Sequence, residues 1–251
     1  MLHFPVLLEE SVDFLLNDLN GNYIDCTFGR GGHSKLILKK LSKKGSLTSM
    51  DKDPDAYKYA SKFKEKNFKI INDSFKNLDK YFDRQSIDGI LYDLGTCSTH
   101  LDQAERGFSL NKDGPLDMRF DNKQGFPLSE RLQNASEEQI KEIIYNYGDE
   151  KHAKLISKAI FKSKMKNKII TTTQLSNIIR DTYPEKFKKI HPATKSFQAF
   201  RIFLNNELEE LKESLKAAEK ILKQGGFIVT IAFHSLEDNI IKNFFKPSLV
   251  S

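Results

Sequence analysis

The sequence is poor in cysteine and has no long apolar run. Its 251 residues include only two cysteines, Cys26 and Cys97, which excludes a disulfide framework and a CxxC metal pattern and favours a reducing compartment. No apolar run approaches the length of a membrane-spanning helix. The opening stretch MLHFPVLLEE lacks the basic start and long apolar core of a signal peptide. We therefore expect a soluble, cytoplasmic protein, either one domain with an insert or two modest domains.

Two ligand-binding patterns are also missing. The histidines show no HExxH motif and no regular spacing of metal ligands, so we expect no metal site. The GxGxxG pattern of NAD-type sites is absent as well, because the glycine cluster reads Gly29-Arg30-Gly31-Gly32. If this glycine cluster binds an adenosine-containing ligand, a ligand other than NAD is indicated.

The most informative stretch that is present is YIDCTFGRGGHS, residues 23–34. It predicts a buried strand, a tight glycine turn and the start of an amphipathic helix. Backbone N–H groups of such a turn can approach a ligand, and a carboxylate about 20 residues on can bind ribose hydroxyls. Asp51 ends the next apolar segment at that distance. S-adenosylmethionine is the obvious candidate, although a plain strand-to-helix loop explains the glycines equally well.

Apolar segments that alternate with helical patterns predict a parallel α/β sheet. The predicted strands are 23–26, 46–50, 68–72, 87–93 and a fifth within 225–235. Residues 101–112 resemble a loop, 136–182 are wholly helical in pattern, and one long amphipathic helix is expected over 195–222. We therefore predict an α/β domain formed by 1–112 and 195–251, interrupted by a helical insert at 113–194.

A net charge of +6 matters because the positive charge is clustered. Residues 151–168 contain seven lysines and no acid. An ordinary solvated helix face explains this run, but one-signed clusters also attract phosphate backbones. Nucleic-acid binding is the favoured interpretation, with further basic residues at Arg180, Lys186, Lys188, Lys189, Lys195 and Arg201.

Asp93 is the main candidate for chemistry. It follows the apolar run Ile90-Leu91-Tyr92, at the carboxyl end of the fourth predicted strand, where α/β proteins bind ligands. A turn or capping aspartate is the alternative. Cys97 has Thr96, Ser98 and Thr99 as sequence neighbours and no evident cation to lower its pKa, so we interpret it as a packing residue.

These motifs resemble a known family, the bacterial small-subunit rRNA (cytosine N4)-methyltransferases of the RsmH or MraW type. The matching strings lie in family order across nearly the whole chain: HFPVLLEE (3–10), DCTFGRGGHS (25–34), DKDPDA (51–56), DLGTCSTHLDQAERGFSLNKDGPLDMRFD (93–121), HPATKSFQAFRIFLNNEL (191–208) and FHSLED (233–238). The resemblance implies a class I S-adenosylmethionine-dependent methyltransferase, with a Rossmann-like parallel sheet and an inserted helical domain, acting on a cytidine of the ribosomal decoding region.

The resemblance also implies roles for individual residues. Gly31, Gly32 and His33 would contact the methionine end of the cofactor, Asp51 the ribose and Phe75 the adenine. Asp93 would lie near the sulfonium and accept hydrogen bonds from the target amino group. The expected RNA contacts are Lys151, Lys154, Lys158, Lys162 and Arg201.

Two departures from the family pattern stand out. His100 replaces a glutamine of the pattern DLGxSSxQ, and Cys97 replaces its first serine. His100 can still donate and accept hydrogen bonds to the cofactor. Family members also continue past FHSLED and its helix with a basic tail that should supply the last strands of the sheet, whereas this sequence stops at KPSLVS. We therefore expect the fifth strand to be an open edge that invites self-association, such as a homodimer.

Two other functions stay open at this point. One is an RNA- or ribosome-binding module that keeps the cofactor pocket but has lost turnover. The other is a small-molecule methyltransferase, which the lysine-rich insert disfavours.

Overall fold

The computed structural model describes residues 5–183 and 191–246. They divide into two compact units, one within residues 1–95 and 208–251 and the other within residues 96–207. The first unit contains a parallel sheet with the strand order β3-β2-β1-β4-β5. Its strands are β1 (Asn22–Asp25), β2 (Ser46–Met50), β3 (Phe68–Ile71), β4 (Ile87–Asp93) and β5 (Leu222–Ile231).

The helices of the described residues follow in chain order. They are α1 (Leu8–Leu15), α2 (Gly32–Lys40), α3 (Pro54–Ala60), α4 (Ser98–Asp102), α5 (Leu128–Asn134), α6 (Glu137–Gly148), α7 (Ala153–Lys164), α8 (Thr172–Arg180), α9 (Thr194–Asn205), α10 (Glu207–Ile221) and α11 (Ser235–Phe245), with short 3-10 helices at Phe75–Lys80 and Ala104–Arg106. No described helix has both the length and the apolar character needed to cross a membrane.

The predicted parallel sheet is confirmed. Strand order reverses between β1 and β4, because the chain first builds outward from β1 to β3 and then returns to the other side of β1. Such a reversal leaves a crevice at the carboxyl ends of the central strands, which is where open α/β sheets bind ligands. The residues that follow β1, β2 and β4 therefore lie where a ligand is expected to bind.

The second unit is wider than the predicted insert of 113–194. Its apolar core includes Phe108 before that range and Phe197, Ala199 and Phe200 after it. Two of its helices begin with reciprocal capping boxes, Ser136 with Gln139 and Thr171 with Gln174. The flanking residues belong to this unit because they share its core.

The prediction of one helix over 195–222 is wrong. Asn206 adopts a left-handed conformation with φ 53° and separates α9 from α10. The preceding Asn205 is buried, and its side chain accepts a hydrogen bond from the Phe120 N–H at 2.7 Å and donates to the Met118 carbonyl at 2.8 Å. Asparagine tolerates the left-handed region better than most residues, so the helix ends here. Residues 101–112 likewise contain the end of α4 and a 3-10 turn rather than loop alone.

β5 lies at one edge of the sheet, where it pairs with β4 and with no other strand among residues 5–183 and 191–246. The side chain of Phe227 on this strand is exposed. β5 is therefore an edge strand of the sheet that the described residues form. Whether this edge pairs with a second copy stays a prediction.

Candidate functional site

The turn after β1 requires its glycines. Gly29 and Gly31 have φ values of 53° and 72°, in the left-handed region that favours glycine. A Cβ on Gly31 would overlap the rings of Phe63 and Phe28, and one on Gly32 would overlap Pro5. The backbone of the turn can adopt this path only without side chains at these positions.

The buried carboxylate of Asp25 holds this turn in place through hydrogen bonds. Asp25 is 1% exposed, and its carboxylate accepts hydrogen bonds from the Ser34 hydroxyl at 2.5 Å and the Thr27 N–H at 3.1 Å. The Ser34 hydroxyl also lies 2.8 Å from that of Ser49 on β2. Asp25 thus joins the end of β1 to the first turn of α2. Asp25 lies in the motif DCTFG, but its place in the sequence does not predict this role.

Thr27 connects the glycine turn to Asp93. Its hydroxyl oxygen accepts a hydrogen bond from the backbone N–H of Asp93 at 2.7 Å. This contact fixes the last residue of β4 against the loop that follows β1. Spacing along the chain carries no signal for it, because 66 positions separate the two residues.

We expect Thr27→Val to lower the free energy of unfolding by about 1–3 kcal/mol, because it leaves the Asp93 N–H without its acceptor. Chemical denaturation followed by circular dichroism measures this loss. Thr27→Ser keeps the hydroxyl and is the matched control, which should retain most of the stability; a loss in Thr27→Val no larger than that in Thr27→Ser would contradict the contribution of this hydrogen bond.

Asp51 holds the glycine turn from the neighbouring strand. Its carboxylate accepts hydrogen bonds from the Gly29 N–H at 2.8 Å and from the Asp53 N–H at 2.9 Å. A carboxylate can accept several hydrogen bonds at once, including bonds from a ligand hydroxyl. Asp51 therefore shapes the turn and can also present an acceptor beside it.

His33 faces Asp93 across this crevice. Its Nδ1 lies 3.6 Å from Asp93 Oδ2, and the histidine is 4% exposed. His33 Nε2 is also buried and has no hydrogen-bond partner in the part of the chain that the structure describes. Buried polar atoms are usually satisfied. This atom is therefore placed to accept a hydrogen bond from, or donate one to, a molecule bound in the crevice.

Phe75 packs near the same strand end. It follows Ser74, whose hydroxyl caps the short 3-10 helix that begins there. The Phe75 ring makes an edge contact with Tyr92, with centroids 5.7 Å apart, and stays only partly buried. An aromatic face is thus available beside the residue that precedes Asp93.

These residues fit an adenosine-containing methyl donor. Among them, the orphaned Nε2 of His33 and the acceptor capacity of Asp51 supply polar contacts, while Phe75 supplies an apolar face. The first unit gathers these predicted site residues around the ends of its central strands: Gly31, Gly32, His33, Asp51, Phe75 and Asp93.

His100 belongs to the second unit. Its ring is buried and lies against the rings of Phe108 and Phe120, with centroid distances of 5.0 and 5.1 Å. These ring contacts do not test the predicted contact of His100 with a cofactor, which stays a prediction.

Cys97 lies near His100, contrary to the expectation that no neighbour lowers its pKa. Burial acts to raise the pKa of the thiol, but hydrogen bonding and charge from His100, with help from Thr99, outweigh burial and hold the pKa below its usual value. The Cys97 sulfur lies 2.8 Å from the Thr99 hydroxyl. The interpretation of Cys97 as a packing residue stays a prediction.

The predicted lysine face is present on α7 and in the residues just before and after it. Ile156 and Ile160 are buried, while the exposed lysines form no ion pair with any residue within 5–183 or 191–246. They are Lys151, Lys154, Lys158, Lys162, Lys166 and Lys168. By contrast, Lys141 and Lys212 each pair with a glutamate three residues away. The face therefore carries uncompensated positive charge.

Two members of the basic cluster have internal partners instead. Lys164 is buried, and its ammonium donates to the carbonyls of Leu132, Gln133 and Ala135 at the end of α5. Arg201 binds both carboxylate oxygens of Glu207, at 2.9 and 3.0 Å. We expect little RNA contact from Lys164 and less from Arg201 than from the free lysines. Lys186, Lys188 and Lys189 lie outside the described residues.

Metal coordination is not indicated by the described residues. Within 5–183 and 191–246, no group of three or more histidine, cysteine, aspartate or glutamate side chains is arranged to hold an ion.

Comparison with known proteins gives consistent matches. The profile of the MraW methylase family matches residues 1–250. The chain is 45% identical to the ribosomal RNA small subunit methyltransferase H of Buchnera aphidicola, over 96% of this chain and 79% of that protein. It is also 45% identical to the protein of that name from Caldicellulosiruptor bescii, over 97% of this chain and 81% of that protein.

A solved structure gives a weaker likeness. A rRNA methylase from Streptococcus thermophilus shares 24% identity with the chain at a TM-score of 0.31, covering 46% of this chain and 71% of that one. This similarity is too low to bear on function.

Proposed function

The chain belongs to the MraW methylase family, and on that premise we propose that it methylates small-subunit rRNA. It transfers a methyl group from S-adenosylmethionine to the exocyclic N4 of a cytidine in the decoding region. The protein is an S-adenosylmethionine-dependent enzyme, and its macromolecular partner is the rRNA, free or within an assembling small subunit.

The observation that carries this proposal is a pair of carboxylates around the glycine turn. Asp51 follows β2 and Asp93 ends β4, and these two strands flank β1 in the sheet. One carboxylate suits ribose hydroxyls, and the other is held beside a buried histidine at the point where a transferred group would lie. This arrangement supports a nucleoside-containing cofactor with its reactive end near Asp93.

The residues divide the task of binding the cofactor. Gly31, Gly32 and His33 would hold the methionine end, Asp51 the ribose and Phe75 the adenine. When bound, S-adenosylmethionine supplies an electrophilic methyl group on a positively charged sulfur. Asp93 favours that positive charge electrostatically.

Asp93 also prepares the nucleophile. The lone pair of a cytosine amino group is delocalised into the ring, so the amino group needs to be oriented. Hydrogen bonds from its N–H groups to the Asp93 carboxylate would point the nitrogen toward the methyl group, and such positioning supplies much of the rate. The target base must leave its stack to reach this place.

The unpaired lysines of α7 support an RNA substrate. Exposed positive charges without internal partners attract phosphate backbones by releasing counterions. A small-molecule substrate would not explain this exposed face of unpaired lysines.

We expect the double variant Lys154→Glu, Lys158→Glu to weaken binding of rRNA fragments and to flatten the dependence of affinity on salt concentration. Filter binding across a salt series measures both quantities. The matched control is Lys212→Glu, Lys216→Glu on α10. An unchanged affinity and salt slope in the α7 variant would mean that its lysines only interact with water.

The alternative function is an RNA- or ribosome-binding module that keeps the cofactor pocket but has lost turnover. Calorimetry with S-adenosylmethionine, combined with a methyl-transfer assay on assembling small subunits, separates the two. The proposed enzyme binds the cofactor and transfers its methyl group, whereas binding without transfer would support the module. Transfer to a metabolite pool but not to rRNA would support a small-molecule enzyme.

A substrate in the ribosome implies a cytoplasmic location, because small subunits assemble there. We also infer that the exposed edge of β5 can pair with a second copy. Among the residues that the structure describes, β5 pairs with a strand on one side only, and the exposed Phe227 supports association there. Sedimentation of the whole chain tests this, and a monomer at all concentrations would contradict it.

A further inference from the structure

Phe233 lies just past the end of β5, next to the strand end that carries Asp93. Asp93 pairs with Ile231 in the sheet, and the carbonyl of Ile231 accepts a hydrogen bond from the Leu94 N–H at 3.0 Å. Phe233 follows Ile231 by two positions, as Gly95 follows Asp93. A Cβ built on Gly95 would lie 3.4 Å from the Phe233 ring. The ring therefore packs against the backbone of the loop that follows Asp93.

This ring lies on the side of β4 away from the proposed cofactor residues. The strand order places β1, β2 and β3 on one side of β4 and β5 on the other. Apart from Asp93 itself, the cofactor residues assigned to the first unit follow β1, β2 or β3. A cofactor held by those residues would occupy the first side. The nucleotide that receives the methyl group would then reach Asp93 from the side of β5, past Phe233.

Open space over Gly95 leaves room for a flat group beside the Phe233 ring. Gly95 has a φ of 93°, in the left-handed region that favours glycine. Apart from its chain neighbours, only the Phe233 ring comes within 4 Å of a Cβ built there, among the residues that the structure describes. Phe233 is 55% exposed, although a phenylalanine gains free energy from burial. An uncovered ring next to the strand end of Asp93 is available to a substrate.

The first turn of α11 holds the backbone of Phe233 in place. The Phe233 N–H donates to Glu237 Oε2 at 2.9 Å, and Glu237 is 2% exposed. The other carboxylate oxygen of Glu237 lies 3.1 Å from His234 Nε2, and His234 Nδ1 accepts a hydrogen bond from the Glu237 N–H at 3.4 Å. These contacts involve the motif FHSLED, which contributes no residue to the proposed cofactor site. A ring on a fixed backbone loses little conformational entropy when it stacks.

A flat ring at this place supplies an orientation that the Asp93 carboxylate alone does not. Hydrogen bonds from the amino group to Asp93 would fix one edge of a cytosine but leave the base free to tilt about that edge. A stacking surface fixes the plane of the base, and with it the direction of the amino nitrogen. Proteins hold unpaired and flipped bases in this way, against aromatic side chains.

We propose that the target cytosine stacks on the ring of Phe233 while Asp93 accepts hydrogen bonds from its amino group. This inference rests on the proposed rRNA methylation and names the residue that sets the plane of the substrate base. Phe233 acts through apolar contact with the base, so its loss should leave cofactor binding intact.

Single-turnover methyl transfer to small subunits, with saturating cofactor, measures this contribution. We expect Phe233→Ala to lower the rate constant by about 5- to 100-fold, the range of base stacking on aromatic residues. Calorimetry with S-adenosylmethionine should give an unchanged affinity. Phe233→Tyr keeps a stacking ring and should restore transfer, whereas Phe233→Leu keeps an apolar side chain without a flat face and should not. Phe14→Ala removes another exposed ring, on α1, and is the matched control that should transfer normally.

The chain has no tryptophan, which permits a direct test of stacking. Phe233→Trp introduces a single indole, whose fluorescence is quenched when a base stacks on it. The probes are two RNA strands of about 12 nucleotides from the decoding region, identical except that one has abasic sugars in place of its cytidines. We expect the strand with cytidines to quench the emission and the other strand not to. Phe14→Trp is the matched control, and neither strand should change its emission.

Four results would overturn the proposal: undiminished transfer by Phe233→Ala, a parallel loss of its cofactor affinity, recovery of transfer by Phe233→Leu, or equal emission of Phe233→Trp with both strands at concentrations that saturate filter binding. The proposed function fails separately, if the unsubstituted protein transfers no methyl group to rRNA. Cytidine-dependent quenching in that case would support the stacking site and contradict only the enzyme. Transfer by the unsubstituted protein without such quenching would contradict only the stacking site.

Discussion

Replacing Asp93 with asparagine is expected to lower the rate of methyl transfer by about 10²- to 10³-fold, the usual effect of removing one preorganised electrostatic contact. Asparagine has nearly the same shape but no charge, and its NH₂ group cannot accept a hydrogen bond. It would therefore neither favour the positive sulfur nor accept both hydrogen bonds that we assign to the carboxylate. The backbone contact from the Asp93 N–H to Thr27 does not depend on the side chain, so folding should be preserved.

Single-turnover transfer with saturating cofactor and small subunits measures this effect. Calorimetry on the same variant should give a nearly unchanged affinity for S-adenosylmethionine. Asp83→Asn, an exposed position in the same unit, is the matched control and should transfer normally. Undiminished transfer by Asp93→Asn would rule out a required carboxylate at this position.

Removing the carboxylate of Asp51 has a large expected effect of a different kind. We expect Asp51→Ala to weaken S-adenosylmethionine binding by about 10- to 100-fold, because hydrogen bonds to a charged group contribute about 1.5–3 kcal/mol each. The variant loses the proposed ribose acceptor and also leaves the N–H groups of Gly29 and Asp53 without their partner. Both losses act on cofactor binding rather than on the transferred group.

Calorimetry separates this effect from that of Asp93. Transfer by Asp51→Ala should recover substantially at high cofactor concentration, which the Asp93 variant should not do. Asp55→Ala removes a nearby carboxylate that pairs with Lys58 and serves as the control. Normal cofactor affinity in Asp51→Ala would show that this residue serves the shape of the turn alone.

The strands and the glycine turn were predictable because their signals are local. Buried strands such as Ile87–Asp93 are apolar runs with clear ends, and the turn at Gly29–Gly32 follows from steric limits that act within a few residues. Asp51 and Asp93 could be proposed for the same reason, since Asp51 directly follows one strand and Asp93 ends another. Here the order of residues along the chain already determines their place in the fold.

The remaining features depend on contacts between distant segments. The helix break at Asn206 is tied to Asn205, whose amide bonds to the backbone of Met118 and Phe120, and no periodicity reports this. In the sequence, Lys164 cannot be distinguished from the exposed lysines around it. Its different role depends on the packing of α5 beside it, where its ammonium bonds to a carbonyl. The hydrogen bond from Asp93 to Thr27 likewise needs two adjacent strands to be known first.

The most direct measurement is mass spectrometry of small-subunit rRNA after incubation with the protein and isotopically labelled S-adenosylmethionine. Fragmentation of the digested RNA identifies the base and the atom that carry the label. Our account predicts one labelled methyl group on the exocyclic N4 of a cytidine in the decoding region. Label on another atom or base, or no label in rRNA from a protein that binds the cofactor, would contradict it.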